Sequence, residues 1–105
     1  MNLRTEYEAG RLIVYLAGEL DQHEARCAYR SLRELLDEYL PRDVVLDLGE
    51  LTFMDSSGIA LLIRVNRCVK EMGGRFWVDN PGAQPRRVME TAGIGRLVPV
   101  ASKSI

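Results

Sequence analysis

No uninterrupted apolar run in this sequence, Ile59-Ala60-Leu61-Leu62-Ile63 included, approaches the roughly 20 residues that a bilayer-spanning helix requires. A membrane partner is therefore not expected. The opening Met1-Asn2-Leu3-Arg4-Thr5-Glu6 lacks the hydrophobic stretch of a secretory signal, which points to a cytoplasmic address. Cysteine is scarce: Cys27 and Cys68 fall inside helical patterns with no close cysteine neighbour, so neither a disulfide framework nor a metal site is expected. Packed free thiols are the simpler reading. No cofactor signature stands out. Charge of one sign is also missing, since 14 basic residues against 15 acidic ones leave a net of −1. That balance disfavours a broadly basic nucleic-acid binder. Repeats, low-complexity tracts and linkers are absent, and 105 residues suit a single domain spanning 1–105.

What is present is alternation followed by helical periodicity. Leu3, Thr5 and Tyr7 alternate with Arg4, Glu6 and Glu8, and Ala9-Gly10 supplies a turn into a second strand, so an antiparallel hairpin opens the chain. The second strand, Leu12 to Ala17, is apolar on both sides, as for an interior strand covered on both faces, and is expected to stop at Gly18. Ala25, Ala28, Leu32, Leu35, Leu36 and Tyr39 then recur at three and four residues, giving an amphipathic helix that Pro41 ends. Val44-Val45-Leu46 reads as a buried strand, and Asp55-Ser56-Ser57-Gly58 leads into a second helix reaching about Met72. After Gly73-Gly74 come a strand at Phe76-Trp77-Val78 and a helix from Pro85 to Ala92. An edge strand at Leu97-Val98-Pro99-Val100 and a frayed tail over 101–105 finish the chain. The order β-β-α-β-α-β-α-β predicts an α/β fold, a mixed sheet whose later strands are parallel, with helices packed on it.

The stretch Met54-Asp55-Ser56-Ser57-Gly58 sets a carboxylate, two hydroxyls and a glycine where a strand hands over to a helix. Ligands and partners dock along that edge in open α/β sheets. Exposed amide hydrogens at a helix start favour a capping oxygen and an added phosphate alike. Asp55 and the serines are thus caps, or a site, or both. A serine hydrolase would need Ser57 as nucleophile, His23 as base and Asp21 or Asp47 as the orienting acid. With one histidine and no G-x-S-x-G elbow, that reading is poorly supported. Arg64, Arg67 and Lys70, three apart, form a basic stripe, either a solvated face or a contact for an acidic partner.

Gly18-Glu19-Leu20-Asp21, Val44-Val45-Leu46-Asp47-Leu48, Phe53-Met54-Asp55-Ser56-Ser57-Gly58 and Gly73-Gly74 occur together in one order. In that set the chain resembles the STAS-domain anti-sigma factor antagonists over nearly its whole length, and the sporulation type most. The resemblance implies a STAS-like fold and a protein that binds an anti-sigma factor serine kinase, thereby releasing a sigma factor. It further implies ATP-dependent phosphorylation at Ser57, reversed by a metal-dependent serine phosphatase. Asp21, Asp55, Ser56, Ser57 and Gly58 would form the partner-binding surface, in a substrate and switch rather than an enzyme. Family members commonly continue into a helix after the last strand, whereas this chain stops five residues beyond Val100. A different reading within the same fold is a nucleotide or small-ligand sensor, or a stress-complex scaffold, that is not phosphorylated.

Overall fold

The computed structural model of the chain describes residues 2–101. Strands β1 (Asn2–Glu8) and β2 (Arg11–Leu20) form the hairpin, followed by helix α1 (Gln22–Tyr39), strand β3 (Asp43–Met54) and helix α2 (Ser56–Glu71). Strand β4 (Arg75–Asp79), helix α3 (Ala83–Ala92), a short 3-10 turn (Ile94–Arg96) and strand β5 (Val100–Ala101) complete it. The sheet order is β1-β2-β3-β4-β5, with β1 antiparallel to β2 and every later pair parallel, which is the expected mixed α/β topology. Ala9 and Gly10 both take positive φ, 55° and 83°, the backbone that a two-residue hairpin needs to match strand twist.

Alternation decides which face the helices cover. Leu12, Val14 and Leu16 of β2 are fully buried, as are Val44, Leu46 and Leu48 of β3. They pack with Leu32 and Leu36 of α1, Leu62 and Val65 of α2, and Met89 of α3 in one cluster. The opposite face of β2 is only half-buried at Ile13, Tyr15 and Ala17. Arginines shield that face instead of a helix: Arg4 lies 4.0 Å from the Tyr15 ring centroid and Arg11 lies 5.1 Å from that of Trp77. The strand is thus covered by helices on one face, not on both. No described helix is long and apolar enough to cross a membrane.

Several boundaries differ from those expected. β2 continues through Gly18 to Leu20, because Gly18 at φ 104° absorbs a break in register against β3 where another residue would end the strand. That added length gives β3 a partner as far as Met54, so β3 runs to 12 residues. Helix α3 begins two residues before Pro85, which still lies within the first turn, where its missing amide hydrogen has no intrahelical role. Leu97 follows the 3-10 turn and Val98 turns inward, fully buried, so of the expected edge strand only Val100 pairs with β4. Ala101, expected in a frayed tail, pairs with Asp79 in β5; residues 102–105 lie outside the described residues.

A buried charge ties the N-terminal edge of the sheet together. Asp43 is fully buried and accepts from Arg75 Nε at 3.0 Å and Arg11 Nη2 at 3.4 Å, with Arg42 Nε at 3.7 Å. The Arg75 hydrogen bond, aided by the charges around it, holds the Asp43 carboxyl below the ordinary aspartate range despite its burial. A lowered native pKa means stability that is present above the unfolded value, about 3.9, and lost as pH falls below it toward the native one. Removing the carboxylate leaves arginines that water can solvate, so Asp43→Asn is expected to cost about 1.5–3 kcal/mol at pH 7, the worth of hydrogen bonds to a charged group. Urea denaturation of both forms from pH 7 to pH 3 should show the gap closing at the acid end.

Candidate functional site

Because β2, β3 and β4 are parallel, their C-terminal ends and the starts of α1, α2 and α3 share one edge of the sheet. Aspartates cap the first two of these helices. Asp21 Oδ1 accepts the Glu24 amide hydrogen at 2.9 Å, and Asp55 Oδ1 accepts that of Ser57 at 2.8 Å. Both aspartates are extended in backbone, as N-caps are. Since a carboxylate caps α2, the serine hydroxyls are spared the task, and among the described residues neither is engaged in a hydrogen bond. Ser56 is exposed and Ser57 half-buried in the first turn. Asp55→Ala is expected to cost about 1 kcal/mol, the usual worth of such a cap, and to fray the turn that presents Ser57. Equilibrium unfolding measures the first effect, and amide exchange at residues 56–58 the second.

Gly58 is placed unlike its neighbours. It is buried, and a Cβ there would meet Met54 Cγ at 2.5 Å and Leu20 Cδ2 at 3.1 Å. Its lack of a side chain seats α2 on the ends of β2 and β3, so it shapes the edge from beneath. The strand end is clamped from the other side by Gln84. The amide of Gln84 accepts from Met54 N at 2.8 Å and donates to Met54 O at 3.0 Å, as a neighbouring strand would. Sequence reasoning missed this residue, and no local signal marks it, because the contact spans 30 residues.

Ser57 opens into a cleft of about 140 Å³ between α1 and α2, walled by Gln22, Ala25, Arg26 and Tyr29 on one side and Ala60, Leu61 and Arg64 on the other. Asp21 caps the first turn of α1, and Gln22 and Arg26 supply the polar wall of the cleft on that side. Arg64 lies 3.8 Å from the Tyr29 ring centroid. The basic stripe divides. A spacing of three residues turns about 60° short of a full circle at each step, so Arg64 faces α1, whereas Arg67 and Lys70 line a shallow depression with Arg96 and Leu97.

The hydrolase constellation is not assembled among the described residues. His23 Nε2 lies 3.8 Å from Cys27 Sγ on its own helix, Asp47 Oδ1 accepts the Gly49 amide hydrogen at 2.8 Å, and Asp21 caps α1. Both thiols are free and half-buried, with Cys68 Sγ 3.3 Å from the Tyr29 hydroxyl. Among the described residues no group of three or more His, Cys, Asp or Glu is placed to hold a metal ion.

Comparison with known proteins gives a consistent family. The model of the STAS domain matches residues 2–104. An anti-sigma F factor antagonist of Paenibacillus polymyxa is 30% identical, covering 100% of this chain and 92% of its own. Among solved structures, the anti-sigma factor antagonist SpoIIAA in its unphosphorylated form superposes with a TM-score of 0.82 at 23% identity, over 98% of this chain and 89% of that one. The Bacillus cell fate determinant SpoIIAA in its phosphorylated form gives a TM-score of 0.74 at 23% identity, over 98% and 92%.

Proposed function

The chain belongs to the STAS domain family, and from that premise we propose that it is an anti-sigma factor antagonist that captures an anti-sigma factor serine kinase and is switched off by phosphorylation of Ser57. The observation that carries the proposal is the state of one side chain. Ser57 stands in the first turn of α2 at the docking edge of the sheet, and its hydroxyl is uncommitted because Asp55 has taken over the cap. A kinase needs such a hydroxyl: its oxygen forms the new bond to the γ-phosphorus of ATP, the bond to the β-phosphate oxygen breaks, and the hydroxyl proton leaves.

Bound in its unmodified form, the protein occupies the kinase, and the sigma factor is released. Phosphorylation ends that capture, and a metal-dependent serine phosphatase restores it, so the protein acts as a cytoplasmic phosphoprotein and substrate rather than as a catalyst. Asp55 and Ser56 frame the acceptor, and Asp21 contributes from the neighbouring junction on the same edge. The direct test incubates the protein with its cognate kinase and ATP and maps the product by mass spectrometry. One phosphate on Ser57 is the expected result; modification elsewhere, or none, overturns the proposal.

A further inference from the structure

The cleft that receives Ser57 is cationic in a way that its surroundings leave unexplained. Its walls carry Arg26 and Arg64 and no carboxylate. The groove continues along α1 and α2 past Arg30 and Arg33, and there Glu34 and Asp37 line it as well. Arg26 and Arg64 line both parts, with Glu34 and Asp37 in the adjoining part and no carboxylate in the part that holds Ser57. Among the described residues neither Arg26 nor Arg64 is in a salt bridge, although Arg4, Arg11, Arg42 and Arg75 all are. Arg64 is nevertheless held in place by the face of Tyr29, 3.8 Å away. Two guanidinium groups from different helices thus line the Ser57 cleft, whose own walls carry no carboxylate, and neither is in a salt bridge with Glu34 or Asp37 of the adjoining depression.

We propose that this pair is the receptor for the phosphate on Ser57: once the hydroxyl is esterified, Arg26 and Arg64 bind the phosphate oxygens from α1 and α2. The inference rests on the phosphorylation reading above and adds what happens to the charge afterwards. Guanidinium forks suit phosphate oxygens in geometry and are always protonated. The modified protein then holds its phosphate against its own surface. Phosphorylation accordingly changes the docking edge twice, by adding a dianion and by withdrawing two cations that an acidic partner would otherwise contact. Gln22 and Tyr29 are the other polar side chains of the walls, and neither is a carboxylate. Asp55, two residues before Ser57, opposes the pair by repelling the phosphate, as does Asp21, which caps α1 next to the wall residue Gln22.

The test installs phosphoserine at position 57 by genetic encoding, so that it does not depend on any kinase, and follows the phosphorus-31 resonance against pH. A free phosphoserine titrates near pH ~6. Two cations within hydrogen-bonding reach are expected to lower that midpoint by about one pH unit. Arg26→Gln and Arg64→Gln, both at exposed positions, should each return part of the shift, and the double variant nearly all of it. An unshifted midpoint, or a lowered one that neither substitution moves, overturns the inference, the latter assigning the effect to the amide hydrogens of α2. Thermal unfolding of the unphosphorylated variants, expected to match that of the parent, separates a lost receptor from a damaged fold. Failure of the cognate kinase to modify Ser57 would sink the reading beneath it and leave this titration standing on its own result.

Discussion

Phosphorylated at Ser57, the protein is expected to bind its kinase about a thousandfold more weakly than the unmodified form, which corresponds to about 4 kcal/mol. The estimate comes from comparing two fates of one charge. Phosphate adds about 1.5–2 negative charges. In the free protein it stays at the solvated surface beside Arg26 and Arg64, where a dianion at roughly 6 Å from Asp55 costs about 1.4 kcal/mol before those cations offset it. The start of α2 returns about 0.3–1 kcal/mol of that. The fold survives such a balance, and circular dichroism of the two forms should coincide. Under a partner the phosphate and the arginines that hold it lose their water together, and desolvating charges that gain no new counter-ion costs several kcal/mol. The effect therefore appears in docking and not in folding. Ser57→Ala, which removes the acceptor but adds no charge, should bind like the parent, and Ser57→Asp should bind at least about a hundredfold more weakly. Titration calorimetry against the kinase decides it: equal affinities for the alanine and aspartate variants would refute a switch that works by charge.

Gly58→Val is expected to lower stability by about 3 kcal/mol, at the upper end of what overpacking costs. Alanine in place of glycine inside a helix ordinarily gains up to about 1 kcal/mol. Here the gain is overwhelmed. The first added carbon falls 2.5 Å from Met54 Cγ, and Met54 is itself fully buried, so it has nowhere to retreat. Valine adds two further methyl groups in the same space. For a domain of this size the midpoint of thermal unfolding should fall by roughly 15 °C. Gly58→Ala should show a smaller loss of the same sign. Kinase binding measured well below the lowered midpoint separates packing from contact, because a residue buried beneath the edge should leave the affinity of the folded molecules nearly unchanged. A variant that stays fully stable yet fails to bind would return Gly58 to the partner surface.

How much of this was legible in the chain differs from element to element. The periodicity of Ala25, Ala28, Leu32 and Leu36 specified α1, whereas the unbroken apolar run from Leu12 to Ala17 specified β2 as a strand but not that helices cover only its Leu12, Val14 and Leu16 face. The second half of β3 left no such record. Beyond Leu48 its burial becomes irregular, and its extent depends on β2 passing through the break at Gly18. At the candidate site, Asp55-Ser56-Ser57 was legible because capping chemistry is local, spanning two or three residues. The arginine pair was not. Arg26 and Arg64 lie 38 positions apart in the sequence and meet only after α1 and α2 pack side by side. Gln84 escaped for the same reason, since its two hydrogen bonds to Met54 exist only in the folded chain.

The Ala9-Gly10 turn belongs to the edge of the sheet remote from Ser57, where the Gly10 carbonyl accepts the amide hydrogens of Arg42 and Asp43. That makes it the natural handle for surface attachment. A fluorophore or an immobilising linker fixed at Glu8 would leave the business end of the sheet pointing into solution, so that a sensor built this way reports capture and release without obstructing either.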